Sequence, residues 1–599
     1  GGSRFSCLRE LADFVRFVTA NLSPRTAVFL RWEAKRACKS RLPHPCLPRL
    51  QHRCSRCHNK GLGVARGYGS NGTARAWHRC SRCHNSRRAR GRPQPFRPSL
   101  RNLEMQGDTE VASFNDDDLL EEVAAAAAAA QAEPEPDTSV DGPVSVSTRI
   151  EYSALPMGKM QDVFGLVTVQ AASAPVTSGE QEAERQPMDI VCVLDVSGSM
   201  QGDKIRQVQD ATRFIIEQAD PKDRLAIVAF NSNATRVLRL RKMSAEGKND
   251  GNIATIRLQA GGGTSIAAGL DMALSVMERR RQRNKISAVL LLTDGQDGST
   301  RSQVPELLQR ATVANCAIYA FGFGRDHDAA LLSEIAEQAQ TPFTFVEDTE
   351  KIREAFAGAV GGLSSIVAQR VVLTMKCQVP LKTVHTPFPL QQTECEATVT
   401  IPDMFALERR DILVELSVPA EGDNAAPTVL LEASARYTDL RGNRLVQTTP
   451  AIMEAQRVEE PQPEAEPDEE VSAQRERIEV TCALQEAAAA SDKGQFDQAL
   501  QVIDACDNRM KSAKKKSPVS ESLEQELMDA RNRMQSGAAW ELGGRAEVRD
   551  AAQMHKMQRC TNTMQAEGAF QKRSKAMYVS KTQDAWIQRS KGSASSSKA

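Results

Sequence analysis

No stretch of about 18 consecutive apolar residues occurs in the 599-residue chain, so no helical membrane span is expected. The N-terminus begins with Gly and lacks a basic-then-apolar order, so no secretory signal is expected. Neither sign of charge prevails: 77 Lys and Arg face 76 Asp and Glu. The mean charge is therefore silent on partners, and segments must be read singly. Residues 1–100 are Arg-rich with only Glu10, Asp13 and Glu33 as acids, whereas 104–137 are rich in acids, Ala and Pro. Histidine is scarce. Between 186 and 365 the single one is His327, read as a solvated loop residue. No Gly-x-Ser-x-Gly nucleophile elbow surrounds Ser197. Asp294 is the sole candidate base for metal-assisted hydrolysis, with no second acid/base placed by a motif. The chain is therefore expected not to be an enzyme.

Cysteines divide in two. Seven precede residue 84 and seven are scattered singly, including Cys192 in an expected buried strand and Cys316 at the edge of another. Single thiols in apolar contexts suit a reducing, cytoplasmic compartment. The octet His52-Arg53-Cys54-Ser55-Arg56-Cys57-His58-Asn59 recurs unchanged at 78–85. Its Cys-x-x-Cys pairs could hold zinc, and the following His58 or His84 completes a c-type haem pattern. An unchanged repeat in Arg/Gly-rich sequence reads more simply as a disordered or non-native extension over 1–103, with Met105 as a natural start. A basic, acid-poor transit peptide is a third reading.

The most informative stretch is the run Ile190-Val191-Cys192-Val193-Leu194 followed by Asp195-Val196-Ser197-Gly198-Ser199. A buried strand here delivers a carboxylate and two hydroxyls to a loop. Thr264, in Gly261-Gly262-Gly263-Thr264-Ser265, and Asp294, after the apolar run 286–293, add oxygen donors. A hard divalent cation favours such ligands. Apolar spacing predicts helices over 202–219, 266–277, 304–313, 331–336 and 352–359, and strands over 225–230, 286–293, 317–323 and 343–346, with another around Val237, Leu238 and Leu240. Alternating strands and helices indicate a parallel sheet covered on both faces. Ligands of such sheets gather at strand carboxyl ends, where Asp195 and Asp294 fall.

Asp195, Ser197, Ser199, Thr264 and Asp294 together resemble the metal-ion-dependent adhesion site of von Willebrand factor A (vWA) domains at all five positions. The blocks 223–230, 316–324 and 343–346 are similar to that family in order and spacing, over roughly 186–365. The resemblance implies an α/β, doubly wound, mostly parallel Rossmann-like sheet. It further implies a Mg²⁺ ion, with Mn²⁺ or Ca²⁺ as substitutes. The hydroxyls would contact the ion, the aspartates would act mostly through water, and a partner's Asp or Glu would replace one water.

Alternating runs over 144–172 and 366–450 predict a β-rich module on both flanks, either one sandwich interrupted by the vWA unit of 186–365 or two separate pieces. Residues 104–143 read as a solvated acidic linker, 459–470 as a second linker, 471–540 as helical, and 541–599 as a polar helical or frayed tail. Lys514-Lys515-Lys516 reads as a solvated loop, and no nucleic-acid partner is expected. This order resembles the intracellular vWA proteins of plants and protists, relatives of the vWA–RING ubiquitin ligases and the vWA–Hint proteins. Cys54, Cys57, His78, Cys80 and Cys83 do not complete a RING ligand series. The expected function is an intracellular scaffold binding an acidic motif through Mg²⁺; the alternative is a ubiquitin-ligase component.

Overall fold

The computed structural model describes residues 117–118, 142–173, 185–348, 351–420, 427–459, 466–512, 516–562, 575 and 577–596. The cysteine octets, the alanine run 124–130, Lys514 and Lys515 lie outside them.

Three strands come first: β1 (Val144–Ile150), β2 (Ala154–Pro156) and β3 (Gln161–Ala171). The α/β unit follows as β4 (Met188–Asp195), α1 (Asp203–Gln218), β5 (Arg224–Phe230), β6 (Ala234–Lys242), α2 (Ala245–Ile256), α3 (Ile266–Arg279), β7 (Ile286–Thr293), α4 (Val304–Val313), β8 (Ala317–Phe323), α5 (Ala329–Gln338), β9 (Phe343–Val346) and α6 (Ile352–Leu363). Its sheet runs β6-β5-β4-β7-β8-β9, and every neighbour pair is parallel except β5 with β6. All residues of β4, β5 and β7 are buried, as continuous apolar runs at the centre of a parallel sheet require. Helices cover both faces: Val208, Phe214 and Phe356 join one core, Leu270, Leu308 and Ile335 the other. This is the doubly wound architecture the periodicity predicts.

Charge enters this apolar sheet at the start of β4. Asp189 is wholly buried and accepts from Arg224 Nε at 2.8 Å and Nη2 at 2.7 Å, from Arg280 Nη1 at 2.7 Å and from Asn284 Nδ2 at 2.9 Å. The fork from Arg224 is bidentate, the geometry in which a buried ion pair best offsets its desolvation.

Beyond α6 come β10 (Ile366–Cys377), β11 (Leu381–His385), β12 (Leu390–Gln392), β13 (Glu396–Ile401), β14 (Met404–Phe405), β15 (Arg409–Val418), β16 (Thr428–Asp439), β17 (Arg444–Gln447) and β18 (Ala451–Val458). The two flanks interleave: β3 pairs with β15 over ten positions, and β2 pairs with β18. One sheet has the order β1-β3-β15-β11 and the other follows β12-β13-β10-β16-β18-β2. Val163, Val167 and Val414 from the first share a core with Leu373, Val399 and Leu431 from the second.

The helical region comprises α7 (Glu469–Asp492), α8 (Phe496–Lys511), α9 (Pro518–Arg533), α10 (Arg545–Met557) and α11 (Lys581–Ser596). Asp468 caps α7, and Ser517 with Ser520 forms a capping box on α9, where Pro518 needs no N–H partner. Of the helical or frayed tail expected for 541–599, the described residues form α10 and α11, and the frayed reading is corrected for them. α10 contributes to three cores: Ala546 to the α/β unit, Val548 and Ala552 to the helices, and Met557 to the sandwich. Trp586 of α11 enters the α/β core beside α6. The polar composition that suggested fraying supplies buried ion pairs instead. Arg559 places Nε 2.7 Å from Glu408 Oε1 and Nη2 2.8 Å from Oε2, and Arg410 Nη2 shares Glu408 Oε1 at 2.7 Å.

Asp189→Ala should destabilise the chain by about 3–5 kcal/mol, because Arg224 and Arg280 lose their shared buried counter-charge; chemical denaturation measures this. Gly358 lies on the face of α6 under the tail, where a Cβ would stand 1.7 Å from the Thr561 carbonyl oxygen. Gly358→Ala should cost about 1–3 kcal/mol and open the tail to limited proteolysis.

Candidate metal centre and its rim

Parallel neighbours on both sides of β4 leave its carboxyl end as a crevice between diverging loops. Asp195, the last residue of the strand, is fully buried there. Its Oδ1 accepts the Ser197 N–H at 2.7 Å and its Oδ2 the Thr293 hydroxyl at 2.5 Å. The Ser197 and Ser199 hydroxyls lie 3.0 Å apart, and Ser199 donates to Asp294 Oδ1 at 2.6 Å. Four of the five expected residues thus form one hydrogen-bonded run.

Thr264 arrives on a third loop. The Gly198 N–H donates to the Gly262 carbonyl at 2.9 Å, and the Gly261 N–H to that of Val196 at 2.7 Å. Gly262, at φ +90°, takes a turn that favours glycine. A Cβ on Gly295 would stand 2.7 Å from Thr264 Oγ1, so the bare glycine after Asp294 lets the threonine lie against it. Asp297 ties the β7 loop to the start of α3, accepting the Ile266 N–H at 2.9 Å.

The donors are all oxygen, two of them carboxylates, and Ser199 is exposed while Asp195 and Asp294 are buried. This set fits a hard divalent cation approached from solvent. Asp195 has only neutral hydrogen-bond donors. Burial raises its pKa and the Asp294 charge adds to that, opposed by the bonds from Thr293 and Ser197. Asp294 is matched differently: its Oδ2 pairs with the Lys204 ammonium from the first turn of α1, which lies 5.3 Å over the Phe323 ring. Lys204 and Thr293 were not among the residues expected at this site. No local pattern in the sequence couples Lys204 to a carboxylate 90 residues away.

His327, read as a solvated loop residue, is buried, and that reading is corrected. The loop after β8 turns inward, so Nδ1 donates to the Gly324 carbonyl at 2.7 Å, and the ring lies 5.5 Å from that of Phe345. A Cβ on Gly322 would stand 2.3 Å from Nε2, so this glycine makes room for the imidazole. Burial pushes the His327 pKa down to about 4. Beside it, a cleft of about 150 Å³ is lined by Gln296, Arg325, His327, Glu541 and Arg545, where the helical region meets the rim. The thiols of Cys192 and Cys316 are buried and unpaired, with pKa values pushed up to about 12, and are not nucleophiles at neutral pH.

Residues 189–357 match the family model of the von Willebrand factor type A domain. Among curated proteins the chain is similar to E3 ubiquitin-protein ligase WAV3 of Arabidopsis thaliana, 30% identical over 255 residues, which are 41% of this chain and 32% of the relative. It is also similar to E3 ubiquitin-protein ligase WAVH1 of the same plant, 25% identical over 319 residues, 50% of this chain and 42% of the relative. The chain thus spans less than half the length of either. Among solved structures, a von Willebrand factor type A protein from Catenulispora acidiphila shares the fold at TM-score 0.52 and 18% identity, over 67% of this chain and 91% of that one.

The expectation of a non-enzymatic protein is corrected by these relatives, which are named ubiquitin ligases. It rested on missing acid/base pairs.

The depressed His327 pKa makes a signed prediction. The unfolded chain binds a proton near pH 6.5 and the folded chain only near pH 4, so stability falls as pH drops through that window. His327→Gln should reduce the loss of unfolding free energy between pH 7 and 4 by up to about 3 kcal/mol, read from denaturant melts.

Proposed function

We propose that this chain, whose residues 189–357 are a vWA domain, is a component of a ubiquitin ligase that recruits its partner through a divalent cation held by Asp195, Ser197, Ser199, Thr264 and Asp294. The observation that carries the reading is the hydrogen-bonded run from Asp195 through Ser197 and Ser199 to Asp294. It draws both carboxylates and both serine hydroxyls into one solvent-facing crevice. Mg²⁺ is the preferred ion, since it needs few protein ligands and keeps water; Mn²⁺ or Ca²⁺ can substitute. A bound cation supplies an electrophilic position for an exposed Asp or Glu of the partner protein.

This chain's own residues prepare that position. Asp195 holds the 195–199 loop by accepting from the Ser197 N–H and the Thr293 hydroxyl, which fixes where Ser197 and Ser199 lie. Lys204 offsets the charge of Asp294, so two buried carboxylates coexist. The ligase assignment is supported by the similarity to WAV3 and WAVH1. A cytoplasmic location is supported by the unpaired thiols. Among the described residues no helix is long and apolar enough to cross a membrane.

Mg²⁺ at a hundredfold excess over its Kd should stabilise the chain by about 2.7 kcal/mol, visible as a raised melting temperature. Ser199→Ala should erase most of this shift; it also removes the donor to the buried Asp294 carboxylate, so the metal-free stability should fall by about 1–3 kcal/mol and the Mg²⁺-dependent difference is the readout. Equal melting with and without Mg²⁺ would overturn the metal site. For the ligase assignment, the chain is incubated with ubiquitin, activating and conjugating enzymes, Mg²⁺-ATP and a captured acidic partner. Ubiquitin conjugates formed with the unmutated chain and lost with Ser199→Ala at the same Mg²⁺-ATP concentration support it; none with the unmutated chain removes it.

A further inference from the structure

Among the described residues, the outer strand of the α/β sheet, β6, pairs with a strand on one side only. Its other side would present unpaired N–H and C=O groups, a template for an added segment. Asp117 and Asp118 occupy that side, which corrects the reading of 104–143 as solvated linker for these two residues. The Asp118 N–H donates to the Leu240 carbonyl at 3.0 Å. The Leu240 N–H donates to Asp117 Oδ1 at 3.1 Å and the Lys242 N–H to Asp118 Oδ2 at 3.0 Å. Arg224 Nη1 reaches the Asp118 carbonyl at 2.8 Å.

Guanidinium groups frame the same two carboxylates. Arg236 Nη1 lies 2.8 Å from Asp117 Oδ1, Arg239 Nη1 3.1 Å from Asp118 Oδ1, and Arg241 Nε 3.9 Å from Asp118 Oδ2. Arg236 and Arg239 are an odd number of positions apart and would face opposite ways on a regular strand. Register shifts against β5 between Leu225 and Val228 break that alternation, and both side chains reach the acidic pair.

We infer that the β6 edge is a receptor for two consecutive aspartates, that Asp117 and Asp118 are its resident occupant, and that an Asp-Asp peptide of a partner protein can take their place. Three observations select this ligand. Carboxylates, not backbone carbonyls, accept the edge N–H groups of Leu240 and Lys242, so the side chain is read directly. The Leu240 carbonyl needs an N–H donor, which a peptide has and a nucleic-acid backbone or free phosphate lacks. Asp118 and its partners Arg239 and Arg241 keep partial solvent exposure, so the position is reachable from outside. The receptor is separate from the candidate metal centre: Lys242 pairs with Arg224 at the start of β5, whereas Asp195 pairs with Phe230 at its end. The inference does not depend on the metal reading.

The test uses the full chain and a fluorescent peptide with the sequence of residues 113–122, followed by anisotropy. The resident pair acts at high effective concentration, so Asp117→Ala/Asp118→Ala should bind the peptide about tenfold more tightly than the unmutated chain. Replacing Asp117 and Asp118 of the peptide's three consecutive aspartates by asparagine should abolish binding, as should Arg236→Gln/Arg239→Gln in the vacated chain. If the double variant melts early, Asp117→Asn, which keeps side-chain size, should give the same ordering with a smaller gap. Hydrogen exchange gives an independent reading: the amides of Leu240 and Lys242 should exchange faster in the vacated chain and regain protection with peptide. Absence of binding to the vacated edge, equal binding of the asparagine peptide, or competition by DNA of matched charge would overturn the inference.

Discussion

One strand carries a charge at each end of a run that admits no water, and the two charges are balanced in opposite ways. Asp189, at the start of β4, faces two guanidiniums and an asparagine amide. Asp195, at the end, has a backbone N–H and a hydroxyl, both neutral. A buried carboxylate without a counter-charge is costly, so the first end is closed by its guanidiniums while the second keeps a carboxylate met only by neutral donors. The sheet makes this asymmetry possible. Parallel strands diverge into loops at their carboxyl ends, where donors from Ser197, Thr264 and Asp294 can gather, while at the other end Arg224 and Arg280 pack over the strand starts.

The sandwich and the helices hold this unit from outside. Strands before and after the α/β unit share both sheets of the sandwich, so the unit is held at both its entry and its exit. The polypeptide then returns through α10 and α11, burying Met557 in one core and Trp586 in another, with Arg559 and Arg410 clamped on Glu408 between them. The rim of the crevice is fixed on one side as a result. Arg545 and Glu541 line one cleft with Arg325 and His327, so the helical region and the α/β unit meet there.

The legible and illegible parts of this molecule divide by sequence distance and by chemistry. The runs 190–194 and 286–293 announce central parallel strands because burial on both faces leaves no room for alternation. Lys204 was not legible, since its tie to Asp294 arises only when α1 starts beside the end of β7. The inward turn of His327 was hidden for a similar reason: it depends on bare Gly322 and on the rings of Phe343 and Phe345, brought together by strand order. The non-enzymatic expectation failed differently. It rested on the absence of a paired acid and base in the motifs, and it is overturned by the names of the relatives, not by a side chain in this structure.

By itself the sequence determined the α/β class, the strand–helix alternation and the placing of oxygen donors after strand ends, because these follow from local periodicity and from side-chain chemistry. The tertiary structure alone decided which charges are met. Arg224 with Asp189, Lys204 with Asp294, Arg559 with Glu408 and the β6 edge with Asp117 and Asp118 all join residues far apart in sequence, and Coulomb attraction in a dry interior depends on distance in space.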